Sequence, residues 1–219
     1  MALRIDPSSD RPAYRQIADH LRSSILSGEI APGSPIPSEQ ELCDRYNAAR
    51  GTVSKKKRAR AAARYRPERV RLLLIAEAPP DSEERYFYLE GVRDKDSLFR
   101  YVAKGILGYV PDRASKPTAL SELKDRGVFL IDASEGPLGD RSLDADPIEL
   151  ILRCEALQPE HIILIKVNVY DDLFAPLKAA GLPVVDVRMP FPGSGQQKRF
   201  EAAFKEALAM AGWENERSK

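Results

Sequence analysis

Residues that could bind the backbone and bases of a nucleic acid are concentrated in one stretch of the sequence. Arg50-Gly-Thr52 stands at the predicted start of a helix, and a run rich in lysine and arginine follows directly. The second helix of a helix–turn–helix enters the major groove of DNA, and clustered cations attract phosphates in a salt-dependent way. The residues predicted to contact DNA are Ser38, Arg50, Gly51, Thr52, Lys55, Lys56, Lys57 and Arg58. Spacing alone leaves two alternatives open, a plain helical hairpin and a solvated basic linker.

A second set of candidate residues lies in loops that follow predicted strands. Glu77 is placed where a carboxylate could orient a water or a base edge, and Tyr86 and Phe87 could stack on a planar ring. Ser194, between two glycines before the last helix, could help to hold a phosphate, with Lys198 close by. The predicted ligand-binding residues are Glu77, Tyr86, Phe87, Ser194 and Lys198, and Glu77 is the candidate catalytic residue. Each feature also has a structural alternative: the carboxylate could cap the next helix, the aromatic residues could belong to the core, and Gly193-Ser-Gly195 could be a simple connection into the last helix.

The elements that must position these loops alternate between strands and helices. Apolar runs at 70–76, 127–133, 161–167 and 182–187 are typical of strands buried on both faces. Helical patterns occupy 96–107, 118–124, 147–157, 171–180 and 196–211. This alternation predicts a three-layer α/β domain with a mainly parallel, four-stranded sheet. Ligand sites in such sheets gather at the carboxyl ends of the strands.

The N-terminal quarter has a helical pattern of a different kind. Ile17, Leu21 and Ile25 recur at a spacing of four and predict one amphipathic helix, which ends at Gly28. Ser38 then stands where an N-cap would begin a second helix, with a glutamate three residues later. A tight turn and a third helix follow, so the N-terminal segment is predicted to be a small helical head.

The head resembles the GntR family of bacterial transcription regulators. The matching positions are Tyr14, Gln16-Ile17, Gly28, Pro32-Gly33, Pro37-Ser38-Glu39, Leu42 and Arg50-Gly51-Thr52-Val53. This resemblance implies a winged-helix-like head that reads an operator half-site as part of a homodimer. Gln40 and Ser54 stand where the family commonly places arginines on DNA, and no wing hairpin is predicted after Val53.

The C-terminal two-thirds resembles the uracil-DNA glycosylase superfamily. Ala76-Glu-Ala-Pro-Pro80 and Met189-Pro-Phe-Pro192 stand in place of that family's first-strand loop and late loop. The resemblance implies a pocket for a flipped base. Met189 replaces the family's histidine and Ala76 its first glycine, which puts glycosidic cleavage in doubt.

Composition limits the remaining possibilities. The 219 residues carry a formal net charge of +1, so any nucleic-acid surface must be local. Cys43 and Cys154 form neither a disulfide framework nor a zinc motif, and no metal or cofactor is predicted. No leader or bilayer-spanning run is recognised, so a cytoplasmic protein without membrane contact is expected.

These observations predict a head at 1–54, a basic linker or helix extension at 55–69, and an α/β domain at 70–213. The favoured hypothesis is a transcription regulator that binds double-stranded DNA. Its α/β body would sense a small-molecule effector or mediate dimerisation. The alternative is a glycosylase-like protein that binds or excises nucleobases, active or inactive, fused to a truncated head. The sequence leaves open whether the chain is an enzyme.

Overall fold

The computed structural model describes residues 13–31, 33–37, 41–42, 51–80, 86–90, 96–134, 145–193 and 195–213. The chain divides into two compact units, Met1–Ala59 and Arg60–Lys219. The predicted positions Ser38, Arg50 and Ser194 lie outside the described residues. The domain boundaries expected from the sequence stay a prediction.

The first helix of the N-terminal unit, α1, spans Ala13–Leu26. Its apolar stripe is buried at Ile17, whereas Ile25, the last residue but one of the helix, is half exposed. Gly28 follows the helix with a φ of 79°, a left-handed conformation that glycine adopts without steric cost. The helix therefore ends where the sequence predicts.

The next described helix, α2, spans Gly51–Arg64, and the division between the two units falls within it. Alanines favour the helical conformation up to its last turn. Pro67 follows shortly afterwards, and a proline disfavours helical geometry in the residue before it. The helix ends at Arg64, within the segment 55–69 that the sequence assigns to a basic linker or helix extension.

A parallel sheet forms the centre of the second unit. Its strands are β1 (Leu72–Ala76), β2 (Val128–Asp132) and β3 (His161–Leu164), in the order β2-β1-β3. Both neighbours pair with β1 in parallel, with Leu74 opposite Leu130 and Ile163. All five residues of β1 are buried, as expected for a central strand covered on both faces.

Among the described residues the sheet has three strands, so the four that the sequence predicts are not confirmed. The expected strand at 182–187 contributes a single parallel bridge, between Ile162 and Val184. Pro183 has no N–H to give to a ladder. Val184 and Val187 donate their N–H groups to carbonyls two residues earlier, so these donors are used within the segment. Local bonding of this kind prevents the segment from pairing over a longer stretch.

Five helices of the second unit that the structure describes lie between and after the strands. They are α3 (Ser97–Leu107), α4 (Lys116–Asp125), α5 (Pro147–Leu157), α6 (Val167–Ala179) and α7 (Gln197–Met210). α3 packs against α4 and α7, and α5 packs against α6. α4 also contacts β2, and α6 contacts β3. The three-layer arrangement itself stays a prediction.

A buried ion pair joins α3 to α4. Asp96 caps α3 by accepting a hydrogen bond from the N–H of Phe99, 3.2 Å away. Its other carboxylate oxygen lies 3.0 Å from Nζ of Lys116, and both side chains are almost completely buried. Burial lowers the pKa of Lys116, and the charge is compensated by Asp96 and by the ring of Phe99, 4.5 Å away.

The outer edge of β2 is protected by a tyrosine. The hydroxyl of Tyr88 donates to the carbonyl of Leu130, at 3.0 Å, and accepts from its N–H, at 2.6 Å. One side chain thus satisfies two backbone groups that an edge strand would otherwise leave unpaired.

No described helix is long and apolar enough to cross a membrane.

Candidate functional site

The basic helix α2 carries six of the eight positions that the sequence assigns to DNA contact, and the other two, Ser38 and Arg50, lie outside the described residues. Lys55 and Lys57 are exposed, and Gly51, Thr52 and Lys56 belong to the same helix. Arg58 is different, since it is only 4% exposed. Lys55 and Lys57 are therefore accessible to a phosphate backbone, whereas Arg58 is buried.

The end of α2 is held by residues of the second unit. Tyr65 donates its hydroxyl to Oε1 of Glu90, at 2.5 Å, and Nη1 of Arg64 reaches the same oxygen at 2.5 Å. Burial and the hydrogen bond to Glu90 raise the pKa of Tyr65 to about 12. Within the part of the chain that the structure describes, no β-hairpin follows α2. Residues 65–71 are irregular and lead directly into β1.

A polar cluster lies at the carboxyl end of the sheet, between β1 and β3. Glu77 directly follows β1, and Lys166 and Asn168 follow β3. Nζ of Lys166 and Nδ2 of Asn168 each donate to one of the two carboxylate oxygens of Glu77. Oδ1 of Asn168 is buried and accepts no hydrogen bond from the described residues. The cluster combines a carboxylate, an ammonium and a free amide oxygen.

The position of this cluster is the one where α/β sheets commonly bind ligands. The chain passes from β1 to β2 on one side and then to β3 on the other, so the strand order reverses at β1. The crevice outside the carboxyl ends of the strands at such a reversal is the usual ligand site. The sheet therefore gives Glu77 the placement that the sequence predicts for it.

Lys166 has an unusual backbone. Its φ is 92° and its ψ is 141°, and it stands immediately before α6 without capping it through its side chain. Residues other than glycine rarely adopt such a conformation, which costs about 1–3 kcal/mol. Strain of this kind persists only where the surrounding structure enforces it, and it concentrates at functional sites.

The other predicted ligand residues that the structure describes lie in different surroundings. Tyr86 and Phe87 are buried in an aromatic cluster with Tyr88, whose ring centre lies 5.0 Å from that of Phe87. Lys198 is exposed in the first turn of α7. The partners that Glu77 does have, Lys166 and Asn168, were not singled out by the sequence. Their place directly after the apolar run of β3 is the signal that could have identified them.

Among the described residues, no group of histidine, cysteine or acidic side chains is arranged to hold a metal ion. The chemistry available at the sheet edge is hydrogen bonding and ion pairing with a polar ligand.

Comparison with known proteins identifies the N-terminal segment. Residues 13–55 match the model of the family described as bacterial regulatory proteins, gntR family. The chain is 44% identical over 43 residues to the mannosyl-D-glycerate transport/metabolism system repressor MngR of Escherichia coli (strain K12), covering 20% of this chain and 18% of that protein. It is 37% identical over 51 residues to the HTH-type transcriptional repressor NagR of Bacillus subtilis (strain 168), covering 23% and 21%. With the HTH-type transcriptional repressor YtrA of the same organism it shares 40% identity over 53 residues, covering 24% and 41%.

These similarities cover only part of each protein. The match spans about a fifth of the length of MngR and of NagR. No solved structure matches the chain. The comparisons give no support to a glycosylase-like C-terminal part or to a winged head. What they do identify is the beginning of the chain, where residues 13–55 form a helix–turn–helix domain of the GntR type.

Proposed function

We propose that this protein is a transcription regulator that binds double-stranded DNA through its helix–turn–helix domain. The observation that carries the proposal is the match of residues 13–55 to the GntR family, a match that ends within α2. The helix begins with the residues expected to read bases and continues with exposed Lys55 and Lys57. Base reading and phosphate attraction would therefore come from one helix.

The two kinds of contact predict different responses to mutation. Arg50 stands where a base contact is expected, so Arg50→Ala should weaken binding to the preferred sequence by about 1–3 kcal/mol and leave random DNA nearly unaffected. Lys55 and Lys57 are expected to neutralise phosphates. Replacing both with alanine should weaken binding to all sequences and lower the slope of log K against log salt by about 2.

The test begins by selecting preferred duplexes from a random pool with the full chain. Fluorescence anisotropy then measures binding of a selected duplex and a scrambled duplex across a salt series. The matched control is Lys178→Ala with Arg199→Ala, which removes two exposed cations from α6 and α7. Equal affinity of the wild type for selected and scrambled duplexes, at every salt concentration, would refute the proposed regulator. If the control variant loses as much affinity and salt dependence as the Lys55 and Lys57 variant, α2 has no special role in binding DNA.

The second unit is proposed to sense a small molecule or to mediate dimerisation. A single recognition helix reads one half-site, and two copies are needed for a symmetric operator. The polar cluster around Glu77, at the ligand-binding edge of the sheet, supports the sensing role. Light scattering of the free protein and of its complex with one or two half-sites would test dimerisation, and a monomer in both would contradict it.

A further inference from the structure

A cavity between α3 and α7 lies apart from the sheet-edge cluster. It has a volume of about 360 Å³, and its walls are mainly apolar, including Tyr101, Phe204, Leu208 and Trp213. Cavities of this size and composition hold small organic molecules. None of the residues around Glu77 lines it.

One wall of the cavity is fixed by close packing of the two helices. A methyl group added to Gly105 would lie 2.6 Å from the ring of Phe204, so α7 approaches α3 only because this residue has no side chain. Phe204 in turn stacks on Phe200, with the ring centres 5.2 Å apart. Both phenylalanines are almost fully buried. A wall held in this way is formed before any ligand arrives, which reduces the cost of binding.

The charged groups around the cavity leave one cation uncompensated. Nζ of Lys104 lies 2.8 Å from a carboxylate oxygen of Glu201, so these two charges neutralise each other. Lys205 also lines the cavity, is exposed, and forms no ion pair with any residue that the structure describes. A ligand with an apolar body and a negative charge would match both the walls and this ammonium group.

We propose that this cavity binds a small monocarboxylate whose body is an aromatic ring or a short hydrocarbon. The ring or chain packs against Tyr101 and Trp213, the partly exposed aromatic residues of the lining, and the carboxylate faces Lys205. As a sensing site, the cavity rests on the regulator function proposed above. The binding itself is independent of DNA and is tested without it.

Trp213 is the only tryptophan of the chain, so its fluorescence reports directly on this cavity. The probe is phenylacetate, titrated at constant ionic strength, with phenylacetamide as its uncharged counterpart. A ligand of about ten non-hydrogen atoms that gains about 0.4 kcal/mol per atom binds with a Kd of about 1 mM. Broadening of the ligand's own NMR signals gives a second readout that does not depend on the tryptophan.

Two variants separate the charge from the cavity. Lys205→Ala should weaken phenylacetate about threefold and leave phenylacetamide unchanged, and its control is Arg199→Ala, which removes an exposed cation outside the cavity. Ala209→Phe places a ring at an exposed lining position and should abolish binding of both probes. Its control is Ala202→Phe, an exposed position on the same helix that does not line the cavity.

The expected result is saturable binding with a preference for phenylacetate that disappears in Lys205→Ala. The proposal is overturned if neither readout saturates by about 10 mM, if the two probes bind equally well to the wild type, or if Ala209→Phe binds like its control. Each of these failures would leave DNA binding by the head untouched. Loss of DNA binding, in turn, would leave the carboxylate site standing as a binding site without a regulatory role.

Discussion

Replacing Lys166 with glycine should make the second unit more stable than replacing it with alanine. The backbone of Lys166, at φ 92° and ψ 141°, is open to glycine without cost but strained for any residue that has a Cβ. Alanine keeps the strain and glycine removes it. Both variants lose the ion pair to Glu77, so their difference contains the backbone contribution alone.

The size of that difference follows from two opposing effects. Relief of strain contributes about 1–3 kcal/mol in favour of glycine. The greater conformational freedom of glycine in the unfolded chain lowers the free energy of unfolding of the glycine variant by about 0.4–1 kcal/mol. Lys166→Gly should therefore exceed Lys166→Ala in free energy of unfolding by about 1 kcal/mol. Relative to wild type, Lys166→Ala should lose up to about 1 kcal/mol, because the side chain of Lys166 is 39% exposed and ion pairs at the surface contribute little.

Urea unfolding followed by the fluorescence of Trp213 measures this difference in the full chain, since the tryptophan belongs to the second unit. The control is Glu206, an exposed residue within α7, where glycine should be less stable than alanine by about 1 kcal/mol. The order of glycine and alanine should thus reverse between the two sites. If Lys166→Ala is as stable as Lys166→Gly, or more stable, the reasoning from backbone strain is wrong.

Three further predictions concern single contacts and are all measured by urea unfolding. Tyr88→Phe should lose about 1–3 kcal/mol, with faster amide exchange at Leu130, because the N–H and carbonyl of that residue are left without their partner; unchanged exchange would contradict this. Gly105→Ala should lose about 1–3 kcal/mol, although alanine is the better helix former, because the methyl group collides with Phe204; a more stable variant would contradict this. The pKa of Tyr65 is raised from 10.0 to about 12, so the stability that its hydroxyl provides is fully present below pH 10.0 and lost as the pH rises through about 12. Wild type should therefore lose more stability than Tyr65→Phe over that range, and equal losses would contradict the assigned shift.

The sequence predicts the centre of the second unit better than its edges. The apolar runs that became β1, β2 and β3 are continuous because those strands are covered by other elements, and this pattern is visible in a short window of sequence. The run at 182–187 looks equally apolar. Its pairing is limited by Pro183 and by hydrogen bonds within the segment, which depend on the local path of the chain. The apolar residues of 182–187 indicated that the segment is buried, but they did not indicate whether it pairs with a neighbouring strand.

The start of α6 shows a second limit. The sequence predicts this helix from residue 171, whereas it begins at Val167. The intervening Val167-Asn-Val-Tyr170 contains β-branched and aromatic residues with weak helix propensity, so local preference hid the first turn. That turn contains Asn168, so the same preference hid one of the three residues at the sheet edge. Lys166 was included in the run 161–167 that the sequence predicts as a strand, whereas β3 ends at Leu164.

The cluster around Glu77 depends on strand register in a way that no local pattern contains. Ile75 pairs with Leu164, and two residues after each of them, beyond the ends of the strands, the side chains of Glu77 and Lys166 form an ion pair. These two residues are 89 positions apart in the chain and belong to different crossovers. A shift of β3 by one residue would exchange the side chains packed on its two covered faces, and the close packing of the core opposes such an exchange. The apolar residues of the strands thus hold the polar pair together, although they take no part in it. A search of the sequence can locate Glu77 as a strand-end carboxylate, but the register between β1 and β3 determines which cation it meets.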